Sequence, residues 1–279
     1  MNNLRDRTQG WLQLPETPAK EFMKALIKKT LKSFGFEIKR VHKDGSESLP
    51  GSVARPVGNV KMFLEDIRAR GFCPRGIIDV GANRGNWTRM ALSVFPETCV
   101  IMIEPQEEMQ YVLSQLCAEN SKLELIQAGA GEKNGQLLQT IWDDLAGSSF
   151  LPEANGEKIE EGKQRITPIT TIDNVLSERR TFFPDLVKLD IQGFELEALK
   201  GANSLFGKTE VFILETSLYE FMPGMPVTAQ CIEFMAARGY AIYDVTEYLR
   251  RPLDGALGQI DLAFARRDGI LRSSHAWSF

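Results

Sequence analysis

Four carboxylates and two glycines carry the chemistry in this sequence. Gly76-Ile77-Ile78-Asp79-Val80-Gly81-Ala82-Asn83-Arg84-Gly85 runs from a short apolar segment into a glycine-rich turn, with an acid two residues before the first glycine. Glycine takes positive φ without a Cβ clash and lets backbone approach a ligand closely. Val100-Ile101-Met102-Ile103-Glu104-Pro105 ends a second apolar segment in another acid, 25 residues beyond Asp79. A carboxylate placed there can accept both hydroxyls of a ribose, as the acid of dinucleotide folds does. Two later apolar segments also end in acids, at Asp190 and Glu215.

Charge decides which nucleotide-like ligand suits the turn. A dinucleotide site asks for G-x-G-x-x-G with bare N–H groups facing a pyrophosphate. Here the spacing is G-x-x-x-G, and Asp79 would repel that anion. S-adenosylmethionine has no phosphate and carries an ammonium and a sulfonium, which a carboxylate at position 79 suits directly or through water. The expected cofactor residues are Asp79, Gly81, Ala82, Asn83, Gly85, Thr88, Glu104 and Pro105, with Ala130 near the adenine. The competing reading, an ordinary strand–helix turn with an unrelated surface Glu104, leaves the pairing of acid, glycine turn and second acid unexplained.

These residues need a scaffold that brings strand ends together. Apolar runs predict strands at 76–80, 98–104, 122–128, 185–190, 209–215, 239–245 and 258–265. Helical spacing predicts helices at 62–70, 86–95, 106–118, 194–205 and 226–238. Alternating βα units imply an α/β fold with a parallel sheet and helices on both faces. Ligands of such sheets bind beyond the carboxyl ends of the strands, so the four acids should share one edge. Asp190 and Glu215 can also be read as helix caps.

A long insert at 129–184, with short strands at 136–142 and 165–170 and a helix at 172–179, is too long for a plain connection. Trp142, Ser148, Ser149 and Phe150 are expected to cover an acceptor site there. Residues 1–59 form a separate N-terminal extension. Thr17-Pro18 opens a helix over Ala19 to Phe34, with Lys20, Lys24, Lys28 and Lys32 along one side. A short alternating strand at 36–41 and a Gly/Pro/Ser-rich linker at 42–59 follow. That basic helix is either a peripheral contact with an anionic membrane surface or partner, or a helix packed on its own domain.

Composition narrows the class. With 279 residues, 43% hydrophobic and 25% charged, the chain suits one large α/β domain with an appendage. Residues 1–75 carry a net charge of +7 and the remainder −11, so the body lacks the basic footprint of a nucleic-acid enzyme. The N-terminus lacks the apolar core of a secretory signal, and the expectation is a cytoplasmic protein, with a peripheral contact at the inner membrane face through its N-terminal helix as the further option. Cys73, Cys99, Cys117 and Cys231 form no C-x-x-C pair and read as reduced core thiols. His42 and His275 adjoin no motif and read as surface residues.

Taken together, the segments resemble the FkbM family of S-adenosylmethionine-dependent methyltransferases. The matching residues are Asp79-Val80-Gly81-Ala82-Asn83-x-Gly85, Glu104-Pro105, Thr171-Ile172-Asp173, the Asp185 to Ala202 block with Lys188-Leu189-Asp190, Glu215 and Asp261-Leu262-Ala263-Phe264, spanning roughly 60–266. The resemblance implies a class I methyltransferase fold: a Rossmann-like, mostly parallel seven-stranded sheet. It also implies O-methylation of a hydroxyl, on a sugar, glycan or polyketide-like metabolite. Asp190 is then the first candidate for the base and Glu215 the second. In the alternative, Asp190 binds the cofactor ammonium and Glu215 is the base. Two acids do not make a metal site, and no metal is assigned. The chain departs from the family at Gln192, where Glu is usual. Methylation of nitrogen or of a protein, and a fold that binds cofactor without catalysis, are the alternatives.

Overall fold

A computed structural model of the chain describes residues 55–143, 145–151 and 155–276. The expected basic helix, the strand at 36–41 and most of the linker lie outside the described residues.

The first elements are α1 (Val60–Ala69), β1 (Gly76–Val80), α2 (Asn86–Val94), β2 (Cys99–Ile103), α3 (Glu107–Glu119) and β3 (Leu123–Ile126). The insert holds β4 (Gly129–Ala130), β5 (Gly135–Thr140), α4 (Gly156–Glu160) and β6 (Gln164–Thr170). The chain continues with α5 (Ile172–Ser177), β7 (Pro184–Leu189), α6 (Glu195–Lys200), β8 (Val211–Ser217), α7 (Thr228–Ala236), β9 (Tyr240–Arg250) and β10 (Leu257–Arg266). The main sheet has seven strands in the order β3-β2-β1-β7-β8-β10-β9. Its first five strands pair in parallel, and β10 runs antiparallel to both β8 and β9. This is the mostly parallel class I architecture that the resemblance implies.

Strand alternation explains why helices cover both faces. Ile77, Val100, Met102, Leu186, Val211, Ile213 and Ala263 share one buried cluster with Phe63, Leu64 and Ile67 of α1, Ala91 of α2 and Leu113 of α3. Their neighbours Ile78, Val80, Ile101, Ile103, Val187, Leu189, Phe212, Leu214, Leu262 and Phe264 point the other way, onto Ile172, Val175, Ala198, Leu199 and Met235 of α5, α6 and α7. Strands apolar on both faces are what a covered parallel sheet requires. The same alternation turns Asp79, Lys188, Glu215 and Asp261 toward the first face, at the end of the sheet where the apolar rows stop.

The order of strands reverses between β1 and β7, which lie side by side with Asp79 opposite Lys188. Ligand crevices of open α/β sheets form at such a switch point.

The details correct several expectations. The strand expected at 122–128 breaks after Ile126, and Gly129–Ala130 pairs instead with β6 in a second, three-stranded sheet, β4-β6-β5. The helix expected at 194–205 stops at Lys200, with Gly201 as its C-cap in a place where a Cβ would strike the carbonyl of Gly131; a 3-10 turn follows at Asn203–Leu205. The cysteines are free, but only Cys231 is a core thiol. Cys73 and Cys99 are exposed, Cys99 because it opens β2 at the amino edge of the sheet, and Cys117 is half-buried. His275 is exposed. No helix among the described residues is long and apolar enough to cross a membrane.

Candidate active site

A cavity of about 310 Å³ lies beyond the carboxyl ends of β1, β2, β7 and β8. Gly81, Ala82, Asn83, Glu104, Pro105, Asp190 and Glu215 line it. Its size is at the lower end for small-ligand sites, which run from about 300 to 1,000 Å³.

The β1 turn makes one wall. Gly81 has φ 78° and Gly85 φ 73°, so both need the left-handed region. A Cβ on Gly81 would also run into the carbonyl oxygen of Asp190, so the β1 and β7 loops can cross only at a glycine. Glu104, buried at the end of β2, accepts from the Asn83 N–H at 2.7 Å and the Gln106 N–H at 3.0 Å. Burial raises its carboxyl above the ordinary value against the pull of those two donors.

Asp79, Gly85, Thr88 and Ala130 do not line the cavity. Asp79 and Thr88 are fully buried, and the Thr88 hydroxyl donates to Asp79 Oδ2 at 2.6 Å. The other Asp79 oxygen faces the ammonium of Lys188 at 3.5 Å. Direct contact between Asp79 and a bound cation is therefore replaced by a contact with Lys188. Gly85 packs toward Leu113 and Leu116 of α3. Ala130 is buried in the small sheet, paired with Thr170 of β6.

The opposite wall is built from charge. Lys188 Nζ lies 3.1 Å from Asp190 Oδ2 and donates to the Gly81 carbonyl at 3.4 Å. Burial would lower the Lys188 ammonium, but Asp190 and Asp79 override it and hold it above its ordinary value. Burial likewise works to raise Asp190, and Lys188 reverses this to leave Asp190 below the usual carboxylate range. Glu215 has no such cation. Burial, then the charges of Asp190, Glu195 and Asp261, push it well above its ordinary value. The side chain of Asp190 is 37% exposed, so the ionised carboxylate is open to the cavity.

Gln192 joins the two acids. Its Nε2 donates to Glu215 Oε2 at 2.8 Å and to Asp190 Oδ1 at 3.3 Å. An amide can donate to two carboxylates, whereas an ionised Glu at this position would be a third negative charge. The loop around it is fixed by Glu195, whose Oε1 accepts from the N–H groups of Ile191 and Gly193.

The insert supplies a further part of the cavity wall. Ser149 Oγ donates to the Gln192 carbonyl at 2.8 Å, and Gln106 Nε2 donates to the Leu145 carbonyl at 2.9 Å. Gln139, Ala146, Ser148 and Phe150 contribute to the lining, and Phe150 packs on Phe194 of the β7 loop. Trp142 lies outside it, under the ammonium of Lys158. Among the described residues, the non-glycine positions with positive φ are Asn83, Leu145 and Gln192, at 48°, 59° and 55°. All three belong to this cavity wall or its clamp, where backbone strain of about 1–3 kcal/mol per residue commonly collects.

Lys188 and Glu195 lie in the Asp185 to Ala202 block without a role read from the sequence, and Gln106 lies outside every motif segment. A lone lysine inside an apolar strand is the signal for a role at Lys188, since such a charge must find buried partners.

Residues 79–242 of this chain match the family model described as the methyltransferase FkbM domain, well over half of its length. The chain belongs to the FkbM methyltransferase family. The match begins at Asp79 and takes in both walls of the cavity. Methyltransferase sdnD of Sordaria araneosa is 30% identical over 155 residues, which cover 46% of this chain and 60% of that protein. An FkbM methyltransferase structure from Methylobacillus flagellatus is 19% identical, with a TM-score of 0.45, over 67% of this chain and 43% of that one. The chain thus spans less than two thirds of the length of either relative. The 1,6-didemethyltoxoflavin-N1-methyltransferase of Burkholderia thailandensis, solved with S-adenosylhomocysteine, is 13% identical with a TM-score of 0.41, covering 91% of this chain and 93% of that one.

Proposed function

We propose that this FkbM-family chain binds S-adenosylmethionine in the cavity and methylates a hydroxyl of a small-molecule or glycan acceptor, with Asp190 as the base. The observation that carries this reading is the Lys188–Asp190–Gln192–Glu215 constellation facing the glycine turn and Glu104. The lining fits a cationic cofactor. Glu104, Asp190 and Glu215 are acidic, and Lys188 is already engaged by Asp79 and Asp190.

When bound, S-adenosylmethionine supplies an electrophilic methyl group on a sulfonium. Gly81, Ala82 and Asn83 would cradle it with backbone, and Glu104 and Pro105 would meet its ribose and adenine end. Asp79 and Thr88 act through Lys188 rather than by touch. Asp190 is ionised and accessible, so it can align an acceptor hydroxyl and take its proton as the oxygen attacks. Glu215, which lacks a cation and is raised well above its ordinary value by burial and the neighbouring acids, is the second candidate for the base. The insert excludes water from the reacting groups. A cytoplasmic setting, with the N-terminal extension at an anionic surface, belongs to the same proposal.

Calorimetry with S-adenosylhomocysteine and with NAD tests the cofactor, and transfer of labelled methyl to hydroxyl-bearing against amine-only acceptors tests the reaction. Binding of NAD without S-adenosylhomocysteine would remove the reading.

A further inference from the structure

Strand register places three carboxylates in one row on the first face of the sheet. Glu215 of β8 lies opposite Asp261 of β10, and Asp261 lies opposite Glu247 of β9. One step nearer the carboxyl end of β8, Ser217, Gln259 and Leu249 form a second row on that face. Glu247 and Leu249 are exposed, so the corner opens to solvent.

Glu215 lines the cavity, but Asp261 and Glu247 do not. The acidic row therefore continues two strands beyond the cavity lining, and the charges of a cofactor bound there do not account for it. Among the described residues, none of the three acids has an ion-pair partner; Lys188, the cation acting on Asp261, is already paired with Asp79 and Asp190. Burial, with Asp190 and Glu247 adding to it, pushes Asp261 up to about 7. An independent feature points to a ligand as well. The Ser217 side chain is 2% exposed and its hydroxyl has no partner among the described residues, which is uncommon for a buried polar group. Ser217 shares the face of Glu215 by strand alternation. The row does not converge as a metal site would: among the described residues no three His, Cys, Asp or Glu side chains could hold an ion.

From this geometry we infer that the open corner of β8, β10 and β9 is the acceptor site, and that it takes an acceptor carrying a protonated amine beside its reacting hydroxyl. A cation on the row would relieve the mutual repulsion of Glu215, Asp261 and Glu247. An acidic acceptor would be rejected by the same charges. The inference rests on the cofactor reading of the adjoining cavity.

The test uses the full chain saturated with S-adenosylhomocysteine and three probes on one ring: trans-2-aminocyclohexanol, trans-cyclohexane-1,2-diol and trans-2-hydroxycyclohexanecarboxylate. Saturation-transfer NMR titration should show the amine binding about tenfold or more tighter than the diol, with the carboxylate weakest, as charge-assisted contacts are markedly stronger than neutral ones. In the Asp261→Asn/Glu247→Gln double variant the preference should fall to about twofold, with S-adenosylhomocysteine affinity unchanged. Glu247→Gln alone, at an exposed position, should move it in the same direction if the double variant does not fold. Equal binding of the three probes, no binding of any, or a preference intact in a folded variant overturns the acceptor site while leaving the cofactor reading in place. Failure to bind S-adenosylhomocysteine removes both.

Discussion

The two walls of the cavity are built on opposite principles. At the ends of β1 and β2 the backbone does the work: glycine carries the turn, and the acids behind it have fixed partners, although one buried Asp79 oxygen meets only the Lys188 charge. Glu104 holds two backbone N–H groups, and Asp79 holds the Thr88 hydroxyl. At the ends of β7 and β8 the side chains do the work, and their charges are in conflict. Asp190 and Glu215 share the Gln192 amide, but only Asp190 has the lysine. A wall built from close backbone contacts is a fixed mould. Carboxylates whose proton affinities are driven apart can divide acid and base roles. Substitutions on the first wall should therefore change binding and stability, and those on the second should change rate and pH response.

The largest effect is expected at Asp190. Asp190→Asn should lower kcat by about 10²–10⁴ while the S-adenosylhomocysteine dissociation constant moves only a few fold. If calorimetry shows affinity collapsing instead, Asp190 belongs with the cofactor wall and the division fails.

Gly81→Ala probes the first wall through its backbone. A Cβ there meets Asp190 and Ile191 at a φ of 78°, so urea unfolding should show a loss of about 2–4 kcal/mol. Parental stability in this variant would contradict a wall that depends on close backbone crossing.

Glu104→Ala should give the converse kinetic signature of Asp190→Asn. Cofactor affinity should weaken about ten- to a hundredfold, the worth of a buried charge-assisted contact, with kcat at saturating cofactor nearly unchanged. A fall in kcat with affinity retained would place the chemistry on the wrong wall.

The smallest effect sharpens the charge conflict. Burial pushes Glu195 up to about 7 from its ordinary 4.5. As pH rises from about 4.5 to about 7 the unfolded chain releases this proton first, so the native state loses stability across that window and carries the full penalty above it. Glu195→Gln removes the titration and keeps an oxygen for the Ile191 and Gly193 N–H groups. Relative to the parent, it should gain on the order of 1 kcal/mol near pH 8, and that gain should fade toward pH 4. A difference that does not vary with pH would show that Glu195 ionises in the folded protein as it does in the unfolded chain.

What the sequence determined by itself was everything that depends on short range. The glycine turn after β1 is written in Gly81 and Gly85, because only glycine meets both its φ and its crowding without strain. The strand ends at Glu104 and Asp190 follow from apolar runs that a two-faced parallel sheet must bury, β8 runs two residues past Glu215 to Ser217, and the common edge of the three acids follows from βα alternation. Tertiary structure alone decided what each charge faces. Asp79 looks in sequence like a ligand for a cation, but β1 pairs with β7 in a register that sets Lys188 opposite it, and the lysine takes that place. Gln192 reads as a departure at one position; the fold makes it the donor between two acids. Asp261 opens a segment that matches the family and Glu247 lies in none, but neither is marked as part of a site, since the row they make with Glu215 exists only once β8, β10 and β9 are paired. Local sequence fixes backbone conformation within a few residues. The protonation and partners of a buried acid depend on residues far away in the chain, which only the folded sheet brings within a few ångströms.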